Sequence, residues 1–298
     1  MAPEHKSPGP PTLNIVGCGR AAGSLARLWS QSAAVRLAAV LNRSRASSER
    51  AVERVGAGFA VDRIEDMPPA ACWLIGSGDD QVLAVAQALA SSRDDLQGAL
   101  VFHLAGRHGL DVLSPLAERG ARLAALHPVR SLTHARLTLE QFSGTACVAE
   151  GDAEALARLE PLVASIGGTW LPVRNIDRGL YHAAVSIISN VTKGVAWKAQ
   201  NWLTSAGLPQ TTAAAVTHQL LASTVDDLFR SGARQSITGP VVRGDTRTIE
   251  AHLKALRATH PDDMDVYRIL ARTVLELAQE RGDLDAETLA RFDSLLKV

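Results

Sequence analysis

Gly17, Gly19 and Ala22 stand two and three residues apart in LNIVGCGRAAGSLARL, residues 13–28. The chemistry such a spacing serves is the holding of a pyrophosphate. The first glycine permits a tight turn, the second lets the backbone approach the phosphates, and a small third residue lets the next helix pack close to the strand before it. Cys18, Arg20 and Ala21 complete the turn, where the first backbone N–H groups of a helix lack partners of their own and favour an anion. The segment predicts a dinucleotide site, with a purely structural glycine turn as the bland alternative. Cys18 has no histidine near it in sequence, and the turn needs a small side chain there, so it is read as packing rather than as a nucleophile.

The next chemistry belongs to the ribose. An apolar run over 35–41 ends in Asn42, Arg43, Ser44 and Arg45, where a fold that binds NAD presents an acidic residue. No acid is present. The two arginines and the Ser44 hydroxyl can donate to a 2′-phosphate instead, so NADP (NADPH) is expected over NAD, the alternative being two solvated arginines on a loop. Further along, Ser77, Gly78 and Asp79 come after a strand at 73–75, and Ala105 and Gly106 close the strand in FHLAG. Their backbones are expected to touch the cofactor, because ligands of an open parallel sheet lie beyond the carboxyl ends of its strands. Asp79 reads equally as a helix cap.

Proton chemistry needs a titratable group at the same edge. His127 ends the strand in RLAALHPVRSL and is a candidate acid, base or substrate ligand, set against the structural role most histidines have. His182, Ser186, Ser189, Asn190 and Lys193 recur three or four apart on a helical segment at 176–205, which would place them on one face, facing either a cleft or water. Burial on several sides is expected for that segment. In TGPVVRGDTRTIEAHLKAL, Thr238, Gly239, Pro240, Arg243 and Asp245 precede a helix, as an anion pocket for a substrate carboxylate or as a simple cap.

The elements that must position these groups are set by patterning. Short β-branched and apolar runs alternate with helical periodicity up to residue 173, and from 175 onward only helical segments are evident. The expected class is α/β: a Rossmann-type, mostly parallel sheet with helices on both faces over 13–174, then an all-helical domain over 175–298. A proline-rich tail, expected to be disordered, occupies 1–12. With 298 residues, no disulfide or metal is needed to hold a core, and the 46% apolar content with only 4% aromatics implies helices packed through Ala, Leu and Val. Lys plus Arg equals Asp plus Glu, 31 each, which argues against nucleic acid and anionic membranes as partners. Three scattered cysteines suit a reduced, cytoplasmic compartment. None of the nine histidines shows the paired spacing of a zinc site, so no metal is expected.

IVGCGRAAGSLA, FHLAG, LHPVRSL, YHAAVSIISN and above all TGPVVRGDTRTIEAHLKAL together resemble a bacterial family with a Rossmann-like domain followed by a helical domain of unknown function. That family is similar to pyrroline-5-carboxylate reductase, ketopantoate reductase and the 6-phosphogluconate dehydrogenase superfamily. The resemblance implies an NADP-dependent oxidoreductase acting on a small carbonyl or imine substrate held between its domains, with a 6-phosphogluconate dehydrogenase-type C-terminal domain that forms a homodimer. In the better-known relatives a lysine and an asparagine on the long helix handle the substrate. Here Asn190 and Lys193 occur in reverse order, so Asn190 suits substrate hydrogen bonding, while His127, His182 and Lys193 are the candidate proton donors. A protein that senses NADP(H) without turnover is the other reading.

Overall fold

The computed structural model describes residues 9–132 and 137–298. Residues 1–8 of the expected tail lie outside the described residues, and the chain is already in a strand at Thr12. Eight strands form one sheet: β1 (Thr12–Val16), β2 (Arg36–Leu41), β3 (Phe59–Val61), β4 (Cys72–Ile75), β5 (Leu100–His103), β6 (Arg122–Pro128), β7 (Ala146–Gly151) and β8 (Thr169–Pro172). Their order is β3-β2-β1-β4-β5-β6-β7-β8, with every neighbouring pair parallel except β6 and β7. The first six strands therefore take the doubly wound order, whose ligand crevice lies outside the carboxyl ends of β1 and β4.

Alternation along the strands explains why both faces are covered. Leu13, Ile15, Leu74 and Phe102 enter one apolar cluster with Leu25 and Trp29, while Val16, Trp73, Ile75 and Val101 enter another with Leu89 and Leu116. Successive side chains point to opposite faces, so runs as short as CWLI serve two cores at once. The helices of these layers include α1 (Arg20–Gln31), α2 (Arg45–Val55), α3 (Val82–Ser92), α4 (Ser114–Ala117), α5 (Leu139–Phe142) and α6 (Ala153–Ala164).

Two compact bodies result, one running through Ser189 and the other spanning Asn190–Val298. The first thus includes α7 (Arg178–Ser186). The second holds α8 (Thr192–Ser205), α9 (Gln210–Ser231), α10 (Ala233–Ser236), α11 (Thr246–Thr259), α12 (Met264–Arg281) and α13 (Ala286–Leu295), around a core of Ile249, Leu253, Met264, Leu275 and Phe292.

Two expectations for the segment at 176–205 need correction. Between α7 and α8 the backbone forms a π-helical turn over Ile187–Val191. Its i to i+5 bonding admits one extra residue, which rotates the residues beyond it by about 100° relative to an uninterrupted α-helix. Ser189, Asn190 and Lys193 therefore do not continue the face of His182 and Ser186. Nor is the segment buried: α7 buries only Arg178 and α8 buries no residue. Apolar side chains that suggest a core lie at the surface of the single chain.

Candidate active site

The glycine turn is built as its spacing implies. Gly17 has φ +85°, and a Cβ on it would fall 2.4 Å from the Ser77 nitrogen. Gly76, which no motif in the sequence marks, is constrained in the same way. A Cβ there would lie 2.4 Å from the Ala22 Cβ and 2.5 Å from the Gly17 carbonyl oxygen. The turn after β1 and the loop after β4 meet backbone to backbone, and the small side chain of Ala22 is part of that fit.

No side chain caps α1 at Gly19, and its first turn carries no acid. The N–H groups of Arg20, Ala21 and Ala22 consequently remain donors at a positive helix end. Cys18 is buried beside them, and burial pushes its thiol up to about 11, which keeps it protonated and unreactive. These residues fit the pyrophosphate of a dinucleotide: a cradle with open donors, no competing carboxylate, and glycine where a side chain would fill the approach.

The ribose-side residues divide into braces and one free charge. Asn42 Oδ1 accepts from the Cys18 N–H at 2.7 Å, and Asn42 Nδ2 donates to the Ser47 carbonyl at 3.0 Å, which ties the glycine turn to α2. Ser44 is the N-cap of α2, its side chain accepting from the Ser47 N–H. Arg45 is held by Glu49 at 2.9 Å and Asp62 at 3.2 Å. Arg43 has no ion pair among the described residues, so it is the arginine of the pair that is available to a 2′-phosphate.

The loops after β4 and β5 are joined to each other. His108 Nε2 donates to the Asp79 carbonyl at 2.8 Å, and Arg107 stands 3.7 Å from the Asp79 carboxylate. His103, fully buried, accepts from the Ala105 N–H at Nδ1 and donates from Nε2 to the Gly109 carbonyl. Burial pushes its pKa down to about 4, so it is a neutral brace for the loop that carries Ala105 and Gly106. Ser77 Oγ is buried with no partner among the described residues.

At the carboxyl end of β6 the structure brings together residues that are far apart in sequence. His127 Nδ1 lies 2.7 Å from the Tyr181 hydroxyl, and its ring meets those of Tyr181 and His182 edge-on at 5.6 and 6.5 Å between centroids. A Cβ on Gly106 would fall 2.9 Å from His182 and 3.0 Å from His127, so this glycine is what admits the two imidazoles. Burial, then His182, then Arg178 push the His127 pKa down to about 4. Burial raises that of Tyr181. Beneath them Arg178, which is 7% exposed, donates from Nε and Nη2 to Glu150 at 2.9 and 2.8 Å, with its guanidinium 5.8 Å from the Tyr181 ring. Sequence reasoning misses Tyr181. Its one signal is the place beside His182 in YHAAVS.

The remaining candidates lie in the second body. Asn190 falls in the π-helical turn, and Lys193 is exposed on α8. Thr238 precedes the turns that hold Gly239, Pro240 and Arg243. Asp245 caps α11, its carboxylate accepting from Thr248 N and Oγ1 at 3.1 and 2.7 Å, and these bonds hold it below the usual carboxylate range. The same body carries an apolar groove of about 830 Å³, lined in part by Trp202, Val216, Leu220, Leu221 and Tyr267.

The model of a Rossmann-like domain matches residues 6–128, and that of the domain of unknown function DUF2520 matches residues 145–274. The chain is a Rossmann-like protein with a DUF2520 domain. No curated protein matches this Rossmann–DUF2520 chain by sequence. Among solved structures, a candidate NADP oxidoreductase of Bacteroides fragilis is 21% identical over 90% of this chain and 98% of its own, with a TM-score of 0.73. A protein of Thermotoga maritima is also 21% identical at the same coverage, with a TM-score of 0.68. An imine reductase of Myxococcus stipitatus in complex with NADP+ is 14% identical over 95% and 99% of the two chains, with a TM-score of 0.62. At these identities the likeness is one of fold. It covers both bodies of the Rossmann–DUF2520 chain, and no helix among the described residues is long and apolar enough to cross a membrane.

Proposed function

We propose that the protein is an NADP(H)-dependent oxidoreductase acting in the cytoplasm on a small carbonyl or imine substrate. The observation that carries this reading is the uncapped start of α1 against the Gly17–Ser77 contact, a donor-rich cradle suited to the phosphates of a dinucleotide. Gly17, Cys18, Gly19, Arg20, Ala21 and Ala22 would hold the pyrophosphate, Arg43 the 2′-phosphate, and the loops at Ser77–Asp79 and Ala105–Gly106 the rest of the molecule. The B. fragilis and M. stipitatus proteins are described with NADP, and a variant of the latter with NAD+, which supports a nicotinamide cofactor. When bound, a nicotinamide supplies or accepts hydride, and the protein has to orient the substrate and move the accompanying proton.

The proton-moving groups are His127 and His182, together with Tyr181. Asn190 and Lys193 serve as further polar groups on the long helical segment, and Thr238, Gly239, Pro240, Arg243 and Asp245 form the loop proposed for a substrate carboxylate. We also propose a homodimer. α9 is 22 residues long yet buries only Ala213, and Trp197, Leu220 and Phe229 are 63, 64 and 85% exposed. A helix of this length gains its stability mainly from packing apolar side chains, and a second copy would cover those that the single chain leaves exposed.

The test is direct. Calorimetric titration with NADPH and NADH should give tighter binding of NADPH, and NADPH absorbance should fall with some member of a ketoacid, aldehyde, ketone and imine panel. Tight binding without turnover across the panel would assign the protein to the sensors, and no heat with either nucleotide would end the proposal.

A further inference from the structure

We infer that Arg54 is a positioning residue for the nucleotide: it fixes the Cys18–Gly19 peptide so that the Gly19 N–H faces the pyrophosphate. The assignment rests on the oxidoreductase reading and adds to its site a residue 36 positions away in sequence from the peptide it holds. Arg54 lies in the last turn of α2, and its Nη2 donates to the Cys18 carbonyl at 3.0 Å. The guanidinium reaches that oxygen across α1 at Gly23, where a Cβ would stand 3.5 Å from Nη2. No carboxylate pairs with Arg54 among the described residues, so its charge is not shared with an acid.

The two peptides of the turn are pinned from opposite sides. In Gly17–Cys18 the N–H donates to Asn42 Oδ1 at 2.7 Å, and the carbonyl oxygen packs against Gly76. In Cys18–Gly19 the carbonyl accepts from Arg54, and a trans peptide turns its N–H the opposite way. Gly19 is exposed, and its N–H has no partner among the described residues. This donor joins those of Arg20, Ala21 and Ala22 at the open end of α1.

The glycine that opens the phosphate approach also loosens it. Glycine accepts φ of either sign, so the plane of the Cys18–Gly19 peptide can rotate at little cost unless something holds its carbonyl. A rotated plane would offer the phosphates an oxygen in place of a hydrogen. Arg54 opposes that rotation with a charge-assisted bond, about twice as strong as a neutral one. A carbonyl that accepts from a cation also polarises its own peptide, which makes the Gly19 N–H the better donor.

Two measurements test this. Cys18–Gly19 is the chain's one Cys-Gly pair, so protein labelled with carbon-13 at cysteine carbonyls and nitrogen-15 at glycine gives a single carbonyl–amide cross-peak, from this peptide. In the nucleotide-free protein Arg54→Met should move the carbonyl resonance upfield, as loss of a donor requires, and Arg54→Lys should restore most of the shift. In calorimetric titrations Arg54→Met should weaken NADPH and NADH alike, roughly tenfold each, with Arg54→Lys again closer to the parent. Binding of 2′-AMP, which has no pyrophosphate, should not change. A general displacement of α2 would weaken 2′-AMP too, and a loss confined to NADPH would make Arg54 a ligand of the 2′-phosphate. Either result overturns the inference, as does a carbonyl resonance indifferent to Arg54→Met or a nucleotide affinity equal to the parent's. A parent protein that binds neither nucleotide would instead remove the oxidoreductase reading, while the cross-peak would still decide whether Arg54 holds this peptide.

Discussion

Gly17 and Ser77 are packed backbone to backbone, so closely that a Cβ on Gly17 would lie 2.4 Å from the Ser77 nitrogen and 2.7 Å from its Cα. Gly19, two residues on, has only the Gly76 carbonyl oxygen near its missing side chain, at 3.8 Å. The two glycines therefore fail differently when changed to alanine. Gly17→Ala forces backbone apart at a left-handed φ and should cost about 1–3 kcal/mol of stability. Gly19→Ala fits the free protein and should stay within about 0.5 kcal/mol of the parent, but its methyl group enters the phosphate approach and weakens NADPH at least tenfold. Urea denaturation and calorimetric titration of both variants separate these outcomes. A Gly19→Ala protein that binds NADPH like the parent would show that the phosphates do not lie on this turn.

Arg43 and Arg45 look alike in the sequence, and the structure parts them. Arg45 is engaged by Glu49 and Asp62, whereas Arg43 has no ion pair among the described residues and is the one proposed to meet the nucleotide. A charge-assisted bond of about 1.5–3 kcal/mol corresponds to roughly 10- to 100-fold in affinity. Arg43→Ala should weaken NADPH by that factor and leave NADH unchanged, whereas Arg45→Ala should alter the preference little. Dissociation constants for both nucleotides with both variants check this, and equal losses for NADPH and NADH would remove the 2′-phosphate assignment.

The contrast between these arginines shows what a sequence carries. Strands are legible wherever burial on both faces writes a short apolar run: FAV and CWLI are strands at or within a residue of the expected places, and LVFH is a strand inside the run expected over 99–106, ending three residues sooner. The glycine turn is legible because backbone geometry restricts residue type. Which arginine is free is not, since Glu49 lies one helical turn away but Asp62 is brought in by β3. The Tyr181–His127 contact spans 54 positions and depends on how α7 seats against the end of β6. The π-helical turn carries no glycine or proline to mark it, so a 3.6-residue period runs straight through Ile187–Val191 and misplaces one polar stripe.

His103 makes folding pH-dependent. An unfolded imidazole takes a proton near 6.5, but the buried one does so only near about 4. Between those values the unfolded chain binds the proton and the native chain does not, so the loss that His103 causes is absent above pH 6.5, grows as pH drops toward 4, and increases no further below it. The shift corresponds to about 3 kcal/mol, and His127 adds a loss of the same sign. Urea midpoints between pH 7 and 4 should decline accordingly, and His103→Gln should show a shallower decline. An identical pH profile in the variant would mean that the native imidazole titrates normally.

The exposed apolar side chains of α9 yield the last prediction. Leu220 and Phe229 lie on a helix that buries a single residue in the isolated chain, and Leu220 also lines the apolar groove. A 22-residue helix gains most of its stability from packing an apolar face, and here the chain alone supplies little to pack against. A second copy would supply it, with Phe229 among the side chains that lose the most water contact on association. Leu220→Glu with Phe229→Glu should convert the dimer to a monomer in sedimentation equilibrium and lower its thermal midpoint, because two carboxylates cannot be buried there unpaired. NADPH binding should survive in this monomer, since Gly17, Arg43 and the uncapped start of α1 all belong to the first body. A parent protein that sediments as a monomer at micromolar concentration would refute the association, and loss of NADPH binding in the double variant would show that the nucleotide site needs both copies.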